Sequence, residues 1–479
     1  MASALVRLAE VAGGQVVGDA TVTVSDATHD SRQVGAGTLY VAMRGATRDG
    51  HEFVGEAVSA GSPAVCVDHG VETTVPQLLV DDTRRALAPI SAEVHGHPSL
   101  ELQLLGVTGT NGKTTVTHLL EAIGGAAGRI SGLIGTVQTR VGGRLIPNPR
   151  TTPEASDFQR ILRLMADAGA TLVAAEISSH ALALRRVDST RFAVGAFTNL
   201  TQDHLDFHND MESYFEAKAH LIEIAEKAVI WIDDPYGRRL LGMRPDSLTV
   251  GSQGAVRAER VESALEGSRF RLVLPDARVE VALPIAADFN VANALVAAAC
   301  AWTVGIGPDE IAQGLAQVAP VPGRFELVAQ GPPAPVIVDY AHTPDGIANA
   351  VAAARRLTTG RVIVVFGAGG DRDTGKRRQM GEAASAADVV IVTSDNPRSE
   401  DPAAIVGQVM EGVSNDQRMQ VVDRREAIRA ALAVAQSGDM VLVLGRGHER
   451  GQEIGGRTLP FDDRQVVRDE LMRPRGAQP

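Results

Sequence analysis

The stretch that most restricts what this chain can fold into is Gly106-Val-Thr-Gly-Thr-Asn-Gly-Lys-Thr-Thr115. An alternating apolar run, Leu100 to Leu105, leads into it, and apolar residues three and four apart follow from Val116 to Ile123, which predicts strand, glycine loop, then helix. Such a loop wraps a phosphate. Gly109 and Gly112 let backbone N–H groups approach the anion, flanked by Thr110, Asn111 and Thr115. Lys113 reaches the outer phosphates, Thr114 is placed to ligate Mg²⁺, and the helix adds the positive end of its dipole. A strict phosphate-loop pattern has glycine at 107, where this chain has Val107. The departure points away from motor and GTPase loops.

Length and charge bound the rest. A chain of 479 residues predicts about three domains. With 46 Lys and Arg against 58 Asp and Glu the formal charge is −12, which argues against a nucleic-acid protein, whose footprint is a basic patch. Cys66 and Cys300 sit in apolar runs and read as buried thiols rather than a disulfide or metal pair, so a reducing cytoplasm is the expected compartment. No apolar run is long enough for a membrane span, and no signal peptide is expected.

The predicted fold class is α/β in three domains with boundaries near 98 and 325. Residues 1–98 begin with an amphipathic helix, Leu5 to Ala12, followed by short strands at Val22 to Val24, Leu39 to Met43 and Ala64 to Val67. There Ser31, taken alone, reads as a turn or cap residue, and a metal site from His95 and His97 would be an over-reading. Residues 99–325 alternate strands and helices, with strands clearest at Leu172 to Ile177, Ala193 to Thr198 and Lys227 to Ile232, and predict a mostly parallel sheet with ligands at its carboxyl edge. Polar bursts stand at those strand ends: Glu176-Ile-Ser-Ser-His180, then Thr198-Asn-Leu-Thr-Gln-Asp-His-Leu-Asp-Phe-His208, with Lys218 on the next helix. Glu and His there suit a metal-assisted phosphoryl-transfer centre, although each residue alone is as readily a loop or cap group.

Residues 326–479 repeat the alternation. Strands at Val336 to Asp339, Val362 to Phe366, Val389 to Thr393 and Met440 to Leu444 each feed a polar loop, and four such loops on one edge make a small-molecule site. Arg372 and Arg398 are suited to grip carboxylates and Glu449 to take an ammonium, against the alternative of a solvated surface network. The tail from Arg473 to Pro479 has a disordered composition.

Together, the motifs Thr108 to Thr115, Glu176 to His180, Thr198 to His208, Asp339-Tyr-Ala-His342 and Asp395-Asn-Pro-Arg398 resemble those of the Mur ligases, in order and over nearly the whole chain. The resemblance implies a central P-loop-type domain, an N-terminal domain binding a UDP-substrate and a C-terminal Rossmann-like domain binding an amino acid. It implies an ATP- and Mg²⁺-dependent amide ligase, monomeric, that adds the third residue of the peptidoglycan stem peptide, meso-diaminopimelate, to UDP-N-acetylmuramoyl-L-alanyl-D-glutamate. Lys113, Glu176, His204 and Lys218 would be catalytic. Thr114, Glu176, His204 and Lys218 would hold Mg²⁺, the lysine as an N6-carboxylysine. Asn290, Arg324 and Asp339 would join the loop at the nucleotide. Ser31, Thr151, Thr152, Ser178 and Arg186 would bind the UDP-substrate, and Arg372, Asp395, Asn396, Pro397, Arg398, Gly445 and Glu449 the incoming amino acid. Arginine at position 398 suits the second carboxylate of diaminopimelate, which lysine lacks. Four positions depart from the family pattern: Leu184, Trp231, Ala287 and Arg446. They leave open a divergent paralogue acting on a different peptide or amino acid; the alternatives to this reading are the same reaction with L-lysine or LL-diaminopimelate, or a nucleotide-binding subunit that has lost ligase chemistry.

Overall fold

The computed structural model describes residues 2–45 and 48–473, so the reading of the tail beyond Arg473 lies outside the described residues. The chain begins with the expected amphipathic helix Leu5–Ala12. It buries Leu5, Leu8 and Ala9 and is closed by Gly13 in the left-handed conformation, whose N–H turns back to Ala9 and Glu10 carbonyls. A five-stranded sheet follows, in the order Gln15–Val17, Gln77–Leu79, Val65–Val67, Thr38–Val41 and Asp26–Thr28, parallel except for its first strand.

The second sheet has eight strands: Arg144–Ile146, Thr139–Val141, Ser131–Ile134, Leu172–Glu176, Gln103–Thr108, Val194–Phe197, Lys227–Trp231 and Leu248–Val250. The last six run parallel, and the first two form an antiparallel hairpin at one edge. Because Gln103–Thr108 lies between Leu172–Glu176 and Val194–Phe197, the glycine loop, Glu176 and Thr198 emerge side by side at one carboxyl edge.

Two details differ from the sequence expectation. The run from Leu100 does not enter the sheet at once: Pro98–Leu100 is a single 3₁₀ turn with Leu100 exposed, since Pro98 presets a helical φ at the first position. And the alternation of strand and helix breaks at Arg257–Ala264, Gly267–Val273 and Arg278–Leu283, a separate three-stranded antiparallel sheet. Its Phe270, Leu272, Val281 and Leu283 share one core with Val107, Leu119 and Ile123 and with the apolar helix Asp288–Thr303. That helix is entered through Ala287 at φ +80°, a conformation that costs an L side chain energy and glycine little. Ala287→Gly is therefore expected to raise stability by about 0.5–1 kcal/mol in urea unfolding, and a loss would contradict the assigned backbone.

The third sheet orders Glu326–Ala329, Val336–Asp339, Met440–Leu444, Val362–Phe366, Val389–Val392 and Arg418–Gln420. All its pairings are parallel but the first. Cys66 and Cys300 are free and buried, and burial pushes both thiols up. Among the described residues no helix is long and apolar enough to cross a membrane.

Candidate active site

The helix Lys113–Ala126 starts directly at the lysine, so the glycine loop is its N-terminus. Gly109 (φ +149°) and Gly112 (φ +90°) have no room for side chains: a Cβ would lie 1.9 Å from Thr198 Oγ1 at the first and 2.3 Å from Asn293 Oδ1 at the second. The second strand-end cluster fastens the loop, with Thr110 N donating to Asn199 O at 2.9 Å and Asn111 N to Asn199 Oδ1 at 2.9 Å. Two ammonium groups meet on one carbonyl. Lys113 Nζ donates to Gly109 O at 2.9 Å and Thr110 O at 3.0 Å, and Lys218 Nζ to Gly109 O at 2.7 Å. Burial lowers the pKa of both, that of Lys218 well below the ordinary lysine value, with the neighbouring Lys113 charge adding to the effect.

Glu176 is fully buried where its strand ends, and three donors hold its carboxylate: Thr114 Oγ1 at 3.0 Å, Thr136 N at 2.8 Å and Thr136 Oγ1 at 2.9 Å. Thr114 Oγ1 in turn accepts from Arg324 Nη2 at 2.9 Å, so the loop is tied to the segment entering the third sheet. His204 follows in a left-handed conformation (φ +56°), its ring 3.3 Å from Asp203, and partial burial pushes its pKa down, which favours the neutral imidazole. Neither Thr136 nor Asp203 was singled out by sequence. Thr136 lies in an unremarkable loop, and Asp203 is a buried carboxylate within a motif already crowded with polar groups.

Thr151, Thr152, Ser178 and Arg186 come together beside Glu176. Thr151 Oγ1 lies 2.9 Å from Thr136 Oγ1, Thr152 Oγ1 donates to Glu176 O at 2.7 Å and accepts from Ser178 N at 3.0 Å, and Arg186 Nη1 donates to Thr152 O at 3.3 Å. Ser178 also caps helix Ser179–Ala183. Glu154, which sequence reading also missed, gathers Arg186 (2.8 Å), Arg150 (2.8 Å) and Arg84 (3.4 Å). Three guanidiniums on one carboxylate leave a positive balance suited to an anion, and Arg186 Nε has no partner. Ser31 shares no hydrogen bond with this group. Its hydroxyl donates to Glu56 at 3.4 Å, while its neighbour His29 reaches Ser156 Oγ at 3.2 Å. Leu184 ends helix Ser179–Ala183, and its carbonyl accepts from Arg84 Nη1 at 3.5 Å.

A cavity of about 1130 Å³ opens from the loop toward the third sheet, lined by Asn111, Trp231, Asn290, Arg324, Asp339 and Asp345 among others. Asn290 Nδ2 donates to Ala286 O at 2.8 Å, and Arg324 stacks 4.5 Å over Tyr340. Asp339 accepts from Phe325 N at 2.6 Å and Ala341 N at 2.8 Å, and desolvation raises its pKa.

On the third sheet, Asn396 Nδ2 donates to Glu449 Oε2 at 2.8 Å and Asn396 Oδ1 accepts from the fully buried Arg446 at 2.8 Å. Arg446 thus orients the Asn396 amide. Gly445 (φ +112°) keeps clear of Asp395, whose Oδ2 would lie 2.5 Å from a Cβ there. Burial, with Asp395 next to it, raises the Glu449 pKa. Arg398 (φ +53°) donates to Gly370 O and lies 3.3 Å from Glu453, and the Pro397 carbonyl accepts from Glu400 N at 3.0 Å. Arg372 instead extends, largely exposed, to within 3.9 Å of Asp206 beside His204. The loop carrying it is held by Glu400, which accepts from Arg377 at 2.7 Å and from Asp371 N at 2.6 Å.

These donors lower the Glu400 pKa from 4.5 to about 2, the Arg377 side chain contributing most. The stabilisation is therefore complete above pH 4.5 and lost as pH falls through about 2. Glu400→Gln is expected to lower the thermal midpoint near neutrality, with the gap to the parent closing toward pH 2. A gap independent of pH would refute the pairing.

Family models match this arrangement in three segments: "Mur ligase family, catalytic domain" over residues 23–95, "Mur ligase middle domain" over 107–301 and "Mur ligase, glutamate ligase domain" over 323–447. A UDP-N-acetylmuramoyl-L-alanyl-D-glutamate--2,6-diaminopimelate ligase of Caldanaerobacter subterraneus subsp. tengcongensis is 43% identical over 476 residues, 98% of either chain. The chain belongs to the Mur ligase family. A ligase of the same name from Aquifex aeolicus is 44% identical over 94% of each chain. Among solved Mur ligase structures, one of a UDP-N-acetylmuramoyl-L-alanyl-D-glutamate--2,6-diaminopimelate ligase superposes with a TM-score of 0.70 at 29% identity, covering 98% of this chain and 99% of that one. MurF from Acinetobacter baumannii shares the fold at a TM-score of 0.71 and 18% identity.

Proposed function

We infer that the protein is an ATP-dependent amide ligase of peptidoglycan precursor synthesis, joining meso-diaminopimelate to UDP-N-acetylmuramoyl-L-alanyl-D-glutamate. The observation that carries this reading is the meeting at one strand edge of the Lys113 ammonium, the buried Lys218 amine, the Glu176 carboxylate and, from the segment entering the third sheet, the Arg324 guanidinium. A carboxylate attacking ATP brings two anions together, and that repulsion is what such a cluster offsets.

In the first step an oxygen of the substrate carboxylate bonds to the γ-phosphorus and the bond to ADP breaks. Lys113 turns from its own loop carbonyls to the outer phosphates, and Arg324 stands beside Thr114 to share the charge. Arg186, Arg150 and Arg84 hold the anionic dipeptide substrate next to Glu176. In the second step the amine nitrogen attacks the acyl carbon, the bond to phosphate breaks, and the amine gives up a proton. Glu449, oriented by Asn396, holds the amino acid's ammonium, and Arg398 holds its second carboxylate.

The donors fit Mg²⁺. Thr114 hydroxyl, Glu176 carboxylate and neutral His204 are oxygen and nitrogen groups that a hard cation accepts, and Glu176 is already held as an acceptor by three donors. An ammonium at Lys218 does not fit. Its lowered pKa makes the neutral amine accessible, and that amine adds CO₂ with loss of a proton to give an anionic carbamate. Bound Mg²⁺ supplies neutralisation of the phosphate charge. The test is multiple-turnover ADP formation by purified protein, which, with no other nucleophile added, is expected to require the UDP-substrate and a diaminopimelate together. ADP formation indifferent to both would refute the reading.

A further inference from the structure

The helix Lys376–Ala384, which follows the loop carrying Arg372, sends its first side chain into the central domain. Lys376 is 9% exposed, and its Nζ lies 3.5 Å from Oδ1 of Asp203, itself 5% exposed. His342, just beyond strand Val336–Asp339, brings its Nε2 to 3.8 Å of the other oxygen, and Asp203 Oδ1 accepts the His204 N–H at 3.0 Å. Two side chains of the third domain thus converge on the residue that orients His204. Other contacts cross the same junction, such as Asn111 Nδ2 to Asp345 Oδ2 at 3.3 Å. The Asp203–Lys376 pair differs in being charged and buried, so parting it strands two ions away from water. Lys376 is also next to Arg377, which holds Gly369 O at 3.1 Å and the carboxylate of Glu400, so the pair is continuous with the scaffold of the amino-acid loops.

We propose that the Asp203–Lys376 pair, backed by His342, is a clasp that positions the amine-holding domain over the phosphate loop. Lys376 is then a positioning residue for amide formation and not for acyl-phosphate formation. The first step draws on groups of the central domain and Arg324. The second needs an amino acid held at Glu449, which Asn396 orients, and only a closed junction brings its amine to the acyl carbon.

The inference rests on the ligase reading, and one experiment separates the two. Hydroxylamine diffuses freely and needs no amino-acid site. Its nitrogen bonds to the acyl carbon of the acyl phosphate, phosphate leaves, and a hydroxamate forms. With ATP, Mg²⁺, the UDP-substrate and hydroxylamine, the parent protein should yield hydroxamate, and failure there would refute the ligase reading itself. Lys376→Met is expected to keep hydroxamate formation within about twofold while amide formation with subsaturating meso-diaminopimelate falls about tenfold or more, a split that loss of fold would not produce. Lys376→Arg should restore most of it. In an Asp203→Asn background the same Lys376→Met change should cost less than about twofold, because its partner charge is already gone. Equal loss of hydroxamate and amide, or undiminished amide formation in Lys376→Met, would overturn the clasp.

Discussion

Glu176→Gln is expected to lower kcat/KM for phosphate release by about a thousandfold or more, the scale on which preorganised charge at a phosphoryl-transfer centre acts. The change keeps the size of the side chain and removes its charge. It also puts an NH₂ group where the structure has two acceptor oxygens. Thr114 Oγ1, Thr136 N and Thr136 Oγ1 all point at that carboxylate, and an amide can satisfy donors on one side only. A stability loss of about 1–3 kcal/mol should accompany the kinetic loss, read as a lower urea midpoint. The two readouts separate roles: if activity fell only in proportion to unfolded protein, Glu176 would be a packing residue. Activity within tenfold of the parent in a folded variant would remove Glu176 from the site.

The second large effect concerns the amine. Arg398→Ala is expected to cost about 1.5–3 kcal/mol with meso-diaminopimelate, seen as a KM raised roughly ten- to a hundredfold, because a charged hydrogen bond to the distal carboxylate is lost. Substrate analogues lacking that carboxylate should be affected much less. Arg398 also fixes its surroundings through Gly370 O and Glu453. A loss of the same size with L-lysine would mean that these contacts, and not recognition of a carboxylate, were what the substitution removed.

The order of elements around the site was legible because the strands that carry it are buried on both faces. Leu172–Glu176, Val194–Phe197 and Val362–Phe366 are continuous apolar runs, the first ending in Glu176, the second leading into Thr198 and the third into a glycine-rich loop. Lys113, Glu176, His204 and Lys218 were therefore visible, although their roles came from a resemblance to Mur ligases and not from spacing. The sheet over 257–283 was not visible. Its first strand, Arg257–Ala264, is partly or fully exposed at every position and offers no apolar run. Asp203 and Lys376 escaped for another reason. Asp203 stands in a polar loop and Lys376 at the start of a polar helix, where a charged side chain reads as solvated, and their burial arises only when segments 173 residues apart meet. Glu154 was likewise hidden, since its three arginines come from separate stretches of chain. Of the four departures from the family pattern, Arg446 finds a use in orienting Asn396, Trp231 lines the cavity beside the glycine loop, and Ala287 carries backbone strain. Nothing in the structure explains Leu184.

The most direct measurement of the central claim is phosphate release by the purified protein with ATP, Mg²⁺ and UDP-N-acetylmuramoyl-L-alanyl-D-glutamate, comparing meso-diaminopimelate, LL-diaminopimelate and L-lysine in parallel. The account predicts release that depends on the amine and is greatest by far with meso-diaminopimelate. Release with none of the three would contradict ligase activity, and equal release with L-lysine would contradict the role given to Arg398.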